Sequence, residues 1–187
     1  MTDSDEMREM RPPALVVVTG PAGSGKTTLA HALAREVHCP AVCRDEIKEG
    51  LVCTIGHAGE TGGDIQLHAT DTFFAALALL LDRGVSVVAE AAFQHKVWAR
   101  WLQPLLPGAR VRIVLCELDA ERALARRIAR GQADPQRARF HPNEAARNRT
   151  GGSVSYDPPR LEVPTLRVDT SDGYSPAFEA IVEFARG

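Results

Sequence analysis

The segment from residue 20 to residue 28 contains the residue types that bind a polyphosphate. It reads Gly20-Pro21-Ala22-Gly23-Ser24-Gly25-Lys26-Thr27-Thr28, and its first eight residues match the P-loop pattern G-x-x-x-x-G-K-[ST]. The small residues let backbone N–H groups approach phosphate oxygens closely, and the helix that begins there adds the positive end of its dipole. We therefore predict that this segment binds nucleotide phosphates, with Lys26 on the outer phosphates and the Thr27 hydroxyl on Mg²⁺.

The residues on either side of this segment predict the strand and the helix that a P-loop requires. Residues 14–19 form a continuous apolar, β-branched run, which is typical of a strand buried on both faces. Leu29, Leu33 and Val37 recur at every fourth position after the segment, which indicates an amphipathic helix. A plain glycine-rich turn is the alternative, and the flanking pattern favours the nucleotide site.

Two acidic residues follow predicted strands at the edge where ligands of parallel sheets bind. Asp45 comes after the short strand 41–43, where its carboxylate could orient and deprotonate a substrate hydroxyl for phosphoryl transfer. An N-cap for the following helix is the alternative, and the two roles are compatible. Glu90 closes the strand 85–89, where an acidic residue holds Mg²⁺ in many P-loop proteins; a role on water or substrate and a surface position are the alternatives.

Arginines are concentrated in one stretch of the chain. The eight members are Arg122, Arg126, Arg127, Arg130, Arg137, Arg139, Arg147 and Arg149. Three of them are spaced four apart and form a row on one helical face, with no matching row of glutamates to neutralise it. We expect at least one of Arg126, Arg127 and Arg130 to contact phosphate, and residues 131–160 to form a lid and loop. A solvated surface is the alternative.

Strands alternate with helices along the chain. The expected strands are 14–19, 41–43, 85–89, 111–116 and 166–169, and the helices after the P-loop helix are 47–52, 64–83, 95–106, 120–130 and 175–186. Asp119 is expected to cap the helix that Gly131 ends, and Asp169 to cap the loop after the last strand. The pattern predicts an α/β fold in which a parallel sheet is covered by helices on both faces.

Length and composition predict one domain over residues 1–187, with residues 1–12 as a flexible leader. The formal net charge of −2 makes an extensive nucleic-acid track unexpected. The sequence has no apolar stretch of membrane-spanning length and no apolar signal segment at its start, so we expect a cytoplasmic protein without a membrane partner. The four cysteines lack metal-site spacing, and the six histidines lack an i, i+4 pairing that indicates a metal site.

These motifs resemble those of an AAA-type group of P-loop kinases that includes zeta toxins, chloramphenicol phosphotransferase and polynucleotide 5′-kinases. The resemblance rests on the P-loop, on Arg44-Asp45-Glu46-Ile47, on the strand that ends at Glu90, and on Leu118-Asp119 before the arginine-rich helix. It implies a three-layer αβα sandwich with a five-stranded sheet of order 2-3-1-4-5, and ATP-dependent phosphorylation of a hydroxyl. Many relatives carry aspartate where this chain has Glu90.

The resemblance also implies roles for single residues. Asp45 would face the acceptor, and Arg126 or Arg130 would be the lid arginine. Arg127 would lie against the adenine, and the loop after Asp169 would contact the edge of the adenine. The predicted function is a kinase for a small molecule that uses ATP and Mg²⁺. The alternatives are a nucleic-acid 5′-end kinase, which needs a basic channel, and an ATP-binding switch without an acceptor. The oligomeric state has no signature in the sequence.

Overall fold

A computed structural model describes residues 11–55, 62–134, 137–142, 144 and 155–187. Five strands form one sheet: β1 (Ala14–Thr19), β2 (Ala41–Cys43), β3 (Val87–Glu90), β4 (Arg110–Glu117) and β5 (Thr165–Asp169). All four pairings are parallel and the strand order is β2-β3-β1-β4-β5. This confirms the parallel sheet and its expected order.

Helices connect the strands and cover both faces of the sheet. They are α1 (Lys26–Glu36), α2 (Arg44–Ile55), α3 (Gly62–Asp82), α4 (His95–Leu102), α5 (Ala120–Ala133), α6 (Arg137–Phe140) and α7 (Phe178–Arg186), with a 3₁₀ helix at Gln103–Gly108. Alternate residues of β1 point into two separate cores. Leu15 and Val17 pack with residues of α3 and α4, whereas Val16 and Val18 pack with residues of α1 and α7. The result is the three-layer αβα arrangement of a P-loop fold.

Several predicted helix boundaries were wrong. The helix expected at residues 95–106 is α-helical only to Leu102, and the one expected at residues 175–186 begins at Phe178. The helix expected at residues 47–52 begins directly after β2 at Arg44 and continues to Ile55, because its first turn contains Asp45 and Glu46, whose negative charges favour a helix N-terminus. The helix expected to end at Gly131 continues to Ala133. Gly131 does not adopt the left-handed conformation that ends many helices at glycine. The loop expected at residues 54–63 lies largely outside the described residues.

Within the described ranges, every helix is too short or too polar to cross a membrane.

Candidate functional site

The P-loop packs against the end of β4 and the first turns of α5. Gly20 and Gly23 have positive φ angles of 151° and 91°. A Cβ atom on Gly20 would collide with the carbonyl oxygen of Cys116, and one on Gly23 would lie 2.5 Å from the carbonyl oxygen of Ala123. Glycine is therefore required at both positions, and the phosphate-binding turn is packed directly on the helix that carries the arginine row.

Glu90 lies at the carboxyl end of β3, beside the first residues of α1. Its side chain is buried, accepts a hydrogen bond of 2.9 Å from the Thr27 hydroxyl, and lies 3.6 Å from the Lys26 ammonium. Burial raises the pKa of Glu90, and the negative charges of Asp45 and Glu46 raise it further. The Lys26 charge and the Thr27 hydrogen bond lower it, but the pKa remains above its usual value. The structure thus brings Lys26, Thr27 and Glu90 together.

The oxygen atoms of Thr27 and Glu90 form a donor set that suits Mg²⁺. A hydroxyl and a carboxylate are hard oxygen ligands, and Mg²⁺ completes its shell with water and substrate phosphates. Both side chains lie next to the segment that matches the phosphate-binding pattern. The residues present therefore fit the metal that the P-loop pattern implies.

Asp45 lies two residues beyond the end of β2, as expected, and inside the first turn of α2 instead of at the N-cap that was its alternative position. Its side chain is 56% exposed and its carboxylate lies 3.1 Å from the Arg44 guanidinium. Partial burial raises the pKa of Asp45, but the charges of Arg44, Lys26 and His141 outweigh it and hold the pKa below its usual value. The carboxylate is therefore ionised at neutral pH and suited to accept a hydrogen bond from a substrate hydroxyl.

Two arginines of α5 contact the loops around the P-loop through backbone oxygens. The Arg126 guanidinium donates to the carbonyl oxygens of Thr170 and Ser171 at 2.8 and 2.9 Å, and Arg127 donates to the carbonyl oxygen of Ala22 at 2.9 Å. These acceptors carry no net charge. The contacts hold both arginines beside the P-loop, and the two carbonyl acceptors of Arg126 leave its charge in place.

The other two members of the row bind carboxylates. Arg122 lies 3.1 Å from Asp172, and Arg130 lies 3.3 Å from Glu144. The row has no matching glutamates on its own helix, but at these two positions acidic residues from outside α5 supply the partners. Ile128 of the same helix is 42% exposed. Arg147 and Arg149 lie outside the described residues.

The first half of the predicted lid segment is hydrogen-bonded to α2. Lys48 of α2 is buried and donates from its ammonium to the carbonyl oxygen of Phe140 at 2.6 Å. The neighbouring His141 ring pairs with Glu49 at 2.9 Å. These contacts link the segment to the helix that carries Asp45. Sequence reasoning missed Lys48, because a lone lysine in a short helix has no distinguishing pattern.

The described residues at the other end of the predicted lid are also attached. The Thr19 hydroxyl donates to the carbonyl oxygen of Ala91 at 2.7 Å and therefore accepts from the Tyr156 hydroxyl, 2.5 Å away. The His95 N–H donates to the carbonyl oxygen of Asp157 at 2.8 Å. Burial raises the pKa of Tyr156 to about 12, so this hydroxyl stays protonated. Residues 135–136, 143 and 145–154 of the predicted lid lie outside the described residues.

A cavity of about 460 Å³ opens on the β4–β5 side of the P-loop, a volume within the usual range for small-molecule sites. Its wall is formed by Pro21, residues 115–119, Tyr156, Pro158, Asp169 and Ser171. Asp169 accepts a hydrogen bond of 2.7 Å from the Ser171 N–H, the loop-capping role expected of it. The hydrogen bonds with Ser171 lower the pKa of Asp169. Asp45 and Glu90 lie on the opposite side of β1.

Solved structures with the same fold cover nearly the whole chain. A candidate kinase from Chloroflexus aurantiacus J-10-fl has a TM-score of 0.79 and 25% identity, covering 94% of this chain and 98% of that one. The APS kinase of Mycobacterium tuberculosis, solved with AMPPNP and APS, has a TM-score of 0.64 and 18% identity over 95% and 100%. A sugar kinase from Janibacter sp. HTCC2649 has a TM-score of 0.63 and 18% identity over 92% and 94%. A comparison with curated proteins finds no match.

The family comparison covers both the P-loop and the arginine-rich helix. The model of the AAA_33 family, described as an AAA domain, matches residues 15–151. This range contains β1 to α5 and every residue described above on the β2–β3 side of the site. The chain belongs to the AAA_33 family of AAA domains.

Proposed function

We propose that this protein is a P-loop kinase that transfers the γ-phosphate of ATP to a hydroxyl group of a small molecule. The observation that carries the proposal is the position of Lys26 relative to two carboxylates. Its charge lowers the pKa of both Asp45 and Glu90, yet the pKa of Asp45 lies below its usual value and that of Glu90 above it. Two carboxylates with different environments beside one P-loop lysine suit two different roles.

The metal and the acceptor lie at the β2–β3 end of the site in this proposal. Thr27 and Glu90 would hold Mg²⁺, which would supply positive charge to the phosphates. Asp45 accepts a hydrogen bond from the acceptor hydroxyl and orients its oxygen toward the γ-phosphorus. Because its pKa is low, the Asp45 carboxylate is a weak base and acts mainly by orienting the acceptor hydroxyl. A weak base is sufficient, because phosphoryl transfer has a loose transition state that needs little proton abstraction.

The nucleotide occupies the P-loop, residues 20–28, and extends toward the arginine-rich helix. Lys26, Arg126 and Arg130 contact the transferring phosphoryl group, and Arg127 lies against the adenine. For Arg130 this requires the ion pair with Glu144 to open when the nucleotide binds. The backbone contacts of Arg126 leave its charge available to an anion.

The reaction forms one oxygen–phosphorus bond and breaks another. The acceptor oxygen attacks the γ-phosphorus, the bond from that phosphorus to the β–γ bridging oxygen breaks, and ADP leaves. The hydroxyl proton passes to the Asp45 carboxylate late in the transfer and from there to water.

The family and one relative support this choice. The chain is 25% identical to a candidate kinase over nearly its full length. The narrower resemblance to zeta toxins, chloramphenicol phosphotransferase and polynucleotide 5′-kinases, a single kinase domain over residues 1–187 and a cytoplasmic location are part of the same proposal.

Replacement of Asp45 by asparagine tests the role of the carboxylate. We expect Asp45→Asn to lower the kcat of acceptor phosphorylation by about 10²- to 10³-fold, as for loss of a positioned acid–base group. The KM for ATP should change by less than about threefold, since the nucleotide contacts are elsewhere. Asp71→Asn, an exposed aspartate of α3, is the matched control. An unchanged kcat in Asp45→Asn would remove Asp45 from the reaction.

A screen of acceptors tests the proposed activity itself. ADP release is measured with antibiotics, nucleosides, sugars and oligonucleotides, and the phosphorylated product is identified by mass spectrometry. We expect turnover with at least one small molecule that carries a hydroxyl group. Turnover with oligonucleotides alone would support the 5′-end kinase, and ATP binding without any acceptor-dependent turnover would support the switch.

A further inference from the structure

Three side chains from three successive elements meet near the carboxyl end of β2. His31 is in the middle of α1, Cys43 is the last residue of β2, and Glu46 is in the first turn of α2. The His31 Nε2 atom lies 2.6 Å from a Glu46 carboxylate oxygen and 3.6 Å from the Cys43 sulfur. All three ligand atoms lie within 4.8 Å of one another. Three consecutive elements thus each direct one potential metal ligand to the same point.

We propose that His31, Cys43 and Glu46 form a binding site for a transition-metal ion of the Zn²⁺ class. An imidazole nitrogen, a thiolate sulfur and a carboxylate oxygen are three ligand types that Zn²⁺ binds together, whereas Mg²⁺ prefers oxygen ligands alone. The site is therefore chemically distinct from the Mg²⁺ position at Thr27 and Glu90.

One ligand–ligand distance matches a tetrahedral site, and a second requires a small movement. Bond lengths of about 2.3 Å to sulfur and about 2.1 Å to nitrogen place these two ligands about 3.6 Å apart, and the His31 and Cys43 atoms lie 3.6 Å apart. Two nitrogen or oxygen ligands of a tetrahedral ion lie about 3.4 Å apart, so the His31–Glu46 pair must open by about 0.8 Å. Rotation of two partly exposed side chains can supply this movement.

Burial around the cluster matches a site that is closed on one side and open on the other. Cys43 is 2% exposed, whereas the side chains of His31 and Glu46 are 44% and 51% exposed. A metal ion can enter from solvent and keep a water molecule as its fourth ligand. Binding displaces the thiol proton of Cys43 into solvent, and no electron transfer is involved.

The site also has a consequence for Asp45, which rests on the proposed kinase function. Asp45 lies between Cys43 and Glu46 in the chain, so one ion bound to both ligands ties the end of β2 to the first turn of α2. This fixes the backbone that positions the Asp45 carboxylate. We therefore expect the metal to change acceptor-dependent turnover.

Cobalt(II) is the probe that tests the site, because a cobalt–thiolate bond absorbs in the near ultraviolet and a tetrahedral ion absorbs in the visible. Titration of the reduced, full-length protein should give both absorptions with one equivalent, and Zn²⁺ but not Mg²⁺ should remove them. His31→Gln and Glu46→Gln should each weaken binding at least tenfold, the smallest effect typical of changes around a metal. Cys43→Ala should abolish the near-ultraviolet absorption.

The controls separate this cluster from other ligands of the chain. His68→Gln and Cys53→Ala alter an exposed histidine and an exposed cysteine, and both should bind cobalt as the unaltered protein does. No near-ultraviolet absorption, or absorption that survives in His31→Gln and Glu46→Gln at unchanged affinity, would overturn the proposal. These two variants alter partly exposed residues and decide the question even where Cys43→Ala fails to fold.

The effect on turnover is measured separately. Zn²⁺ should change acceptor-dependent ADP release in the unaltered protein and not in His31→Gln. The cobalt titration needs no acceptor, so a failure of the kinase proposal leaves the metal site tested, and a failure of the titration leaves the kinase proposal intact.

Discussion

The two sides of the P-loop strand carry opposite charges that are balanced in different ways. Beyond β2 and β3 lie the carboxylates of Asp45, Glu46 and Glu90, which we call the acidic flank. Beyond β4 and β5 lie the arginines of α5, at positions 122, 126, 127 and 130, which we call the arginine flank. On the acidic flank burial raises the pKa of Glu90, and the charges of Asp45 and Glu46 add to this effect. On the arginine flank Arg126 binds backbone carbonyl oxygens.

This difference assigns an orientation to a bound nucleotide. The acidic flank gains stability from a cation, because a metal ion relieves the repulsion among its carboxylates. On the arginine flank the carbonyl oxygens that bind Arg126 leave its positive charge in place, and this charge suits an anion. In the function proposed above, a nucleotide that crosses β1 would place its metal toward the acidic flank, its terminal phosphate between Asp45 and the side chains of Arg126 and Arg130, and its base toward the cavity beside Ser171.

Loss of the Lys26 charge is expected to have the largest effect, because Lys26 lies where the two flanks meet. Lys26→Met keeps most of the side-chain volume and removes the ammonium. We expect acceptor-dependent kcat to fall about 10²- to 10³-fold, the loss typical of a group that stabilises transition-state charge. Steady-state kinetics with a saturating acceptor measure this.

The matched control for that change is Lys96→Met, which removes an exposed ammonium of α4. It should leave kcat within about twofold of the unaltered protein. Equal losses in the two variants would mean that overall charge, and not the position of Lys26 between the flanks, determines the rate.

A smaller effect is expected from the arginine flank, where two members of one row can be compared. Arg126→Ala should lower kcat/KM for ATP by about 10- to 100-fold, because a charged hydrogen-bond donor is worth about 1.5–3 kcal/mol. Arg122→Ala should change it by less than about twofold, since Arg122 and Asp172 are 53% and 87% exposed and such pairs contribute little. Titration of ATP at fixed acceptor measures both.

Arg126→Lys separates charge from geometry in the same experiment. Lysine keeps the charge but lacks the planar fork that reaches Thr170 and Ser171 together. Activity restored in Arg126→Lys would show that charge alone is needed. Equal losses in Arg122→Ala and Arg126→Ala would contradict the distinction between carboxylate-bound and carbonyl-bound arginines.

Most of the fold could be predicted because its signals are local. The apolar run at residues 14–19 predicts a buried strand, and Asp119 does cap α5 by accepting hydrogen bonds from the Glu121 and Arg122 N–H groups. The sheet order, in contrast, came from a family resemblance. The predicted helix end at Gly131 was wrong, because a glycine ends a helix only where its backbone adopts the left-handed conformation. The helical hydrogen bonding here continues past that residue.

The site was less predictable, because much of it depends on contacts between residues far apart in the chain. The P-loop residues and Glu90 could be found from a motif and a strand end. The contact of Lys48 with Phe140 and the meeting of His31 with Cys43 and Glu46 could not, since no spacing in the sequence indicates them. They arise only when β2 pairs with β3 and α1 packs over the sheet.

ATP binding is expected to depend on pH through the carboxylates of the acidic flank. The pKa of Glu90 lies above its usual value and that of Asp45 below it. As the pH falls from neutral, Glu90 takes up its proton first, while Asp45 stays ionised. A protonated carboxyl is a poor metal ligand, so we expect Mg²⁺-dependent ATP binding to weaken on the acid side at a pH above the usual glutamate range.

Glu90→Gln identifies the group responsible. The amide has almost the same shape and no charge, so at neutral pH the Mg²⁺ concentration needed for half-maximal ATP binding should rise roughly tenfold, as expected for loss of one charged ligand. The acid-side weakening should disappear, because no proton binds at this position. Calorimetric titration of ATP at several pH values and Mg²⁺ concentrations measures both changes. Asp45→Asn should keep the acid-side weakening. If the weakening disappears in Asp45→Asn, then Asp45, and not Glu90, is the group whose protonation weakens metal binding.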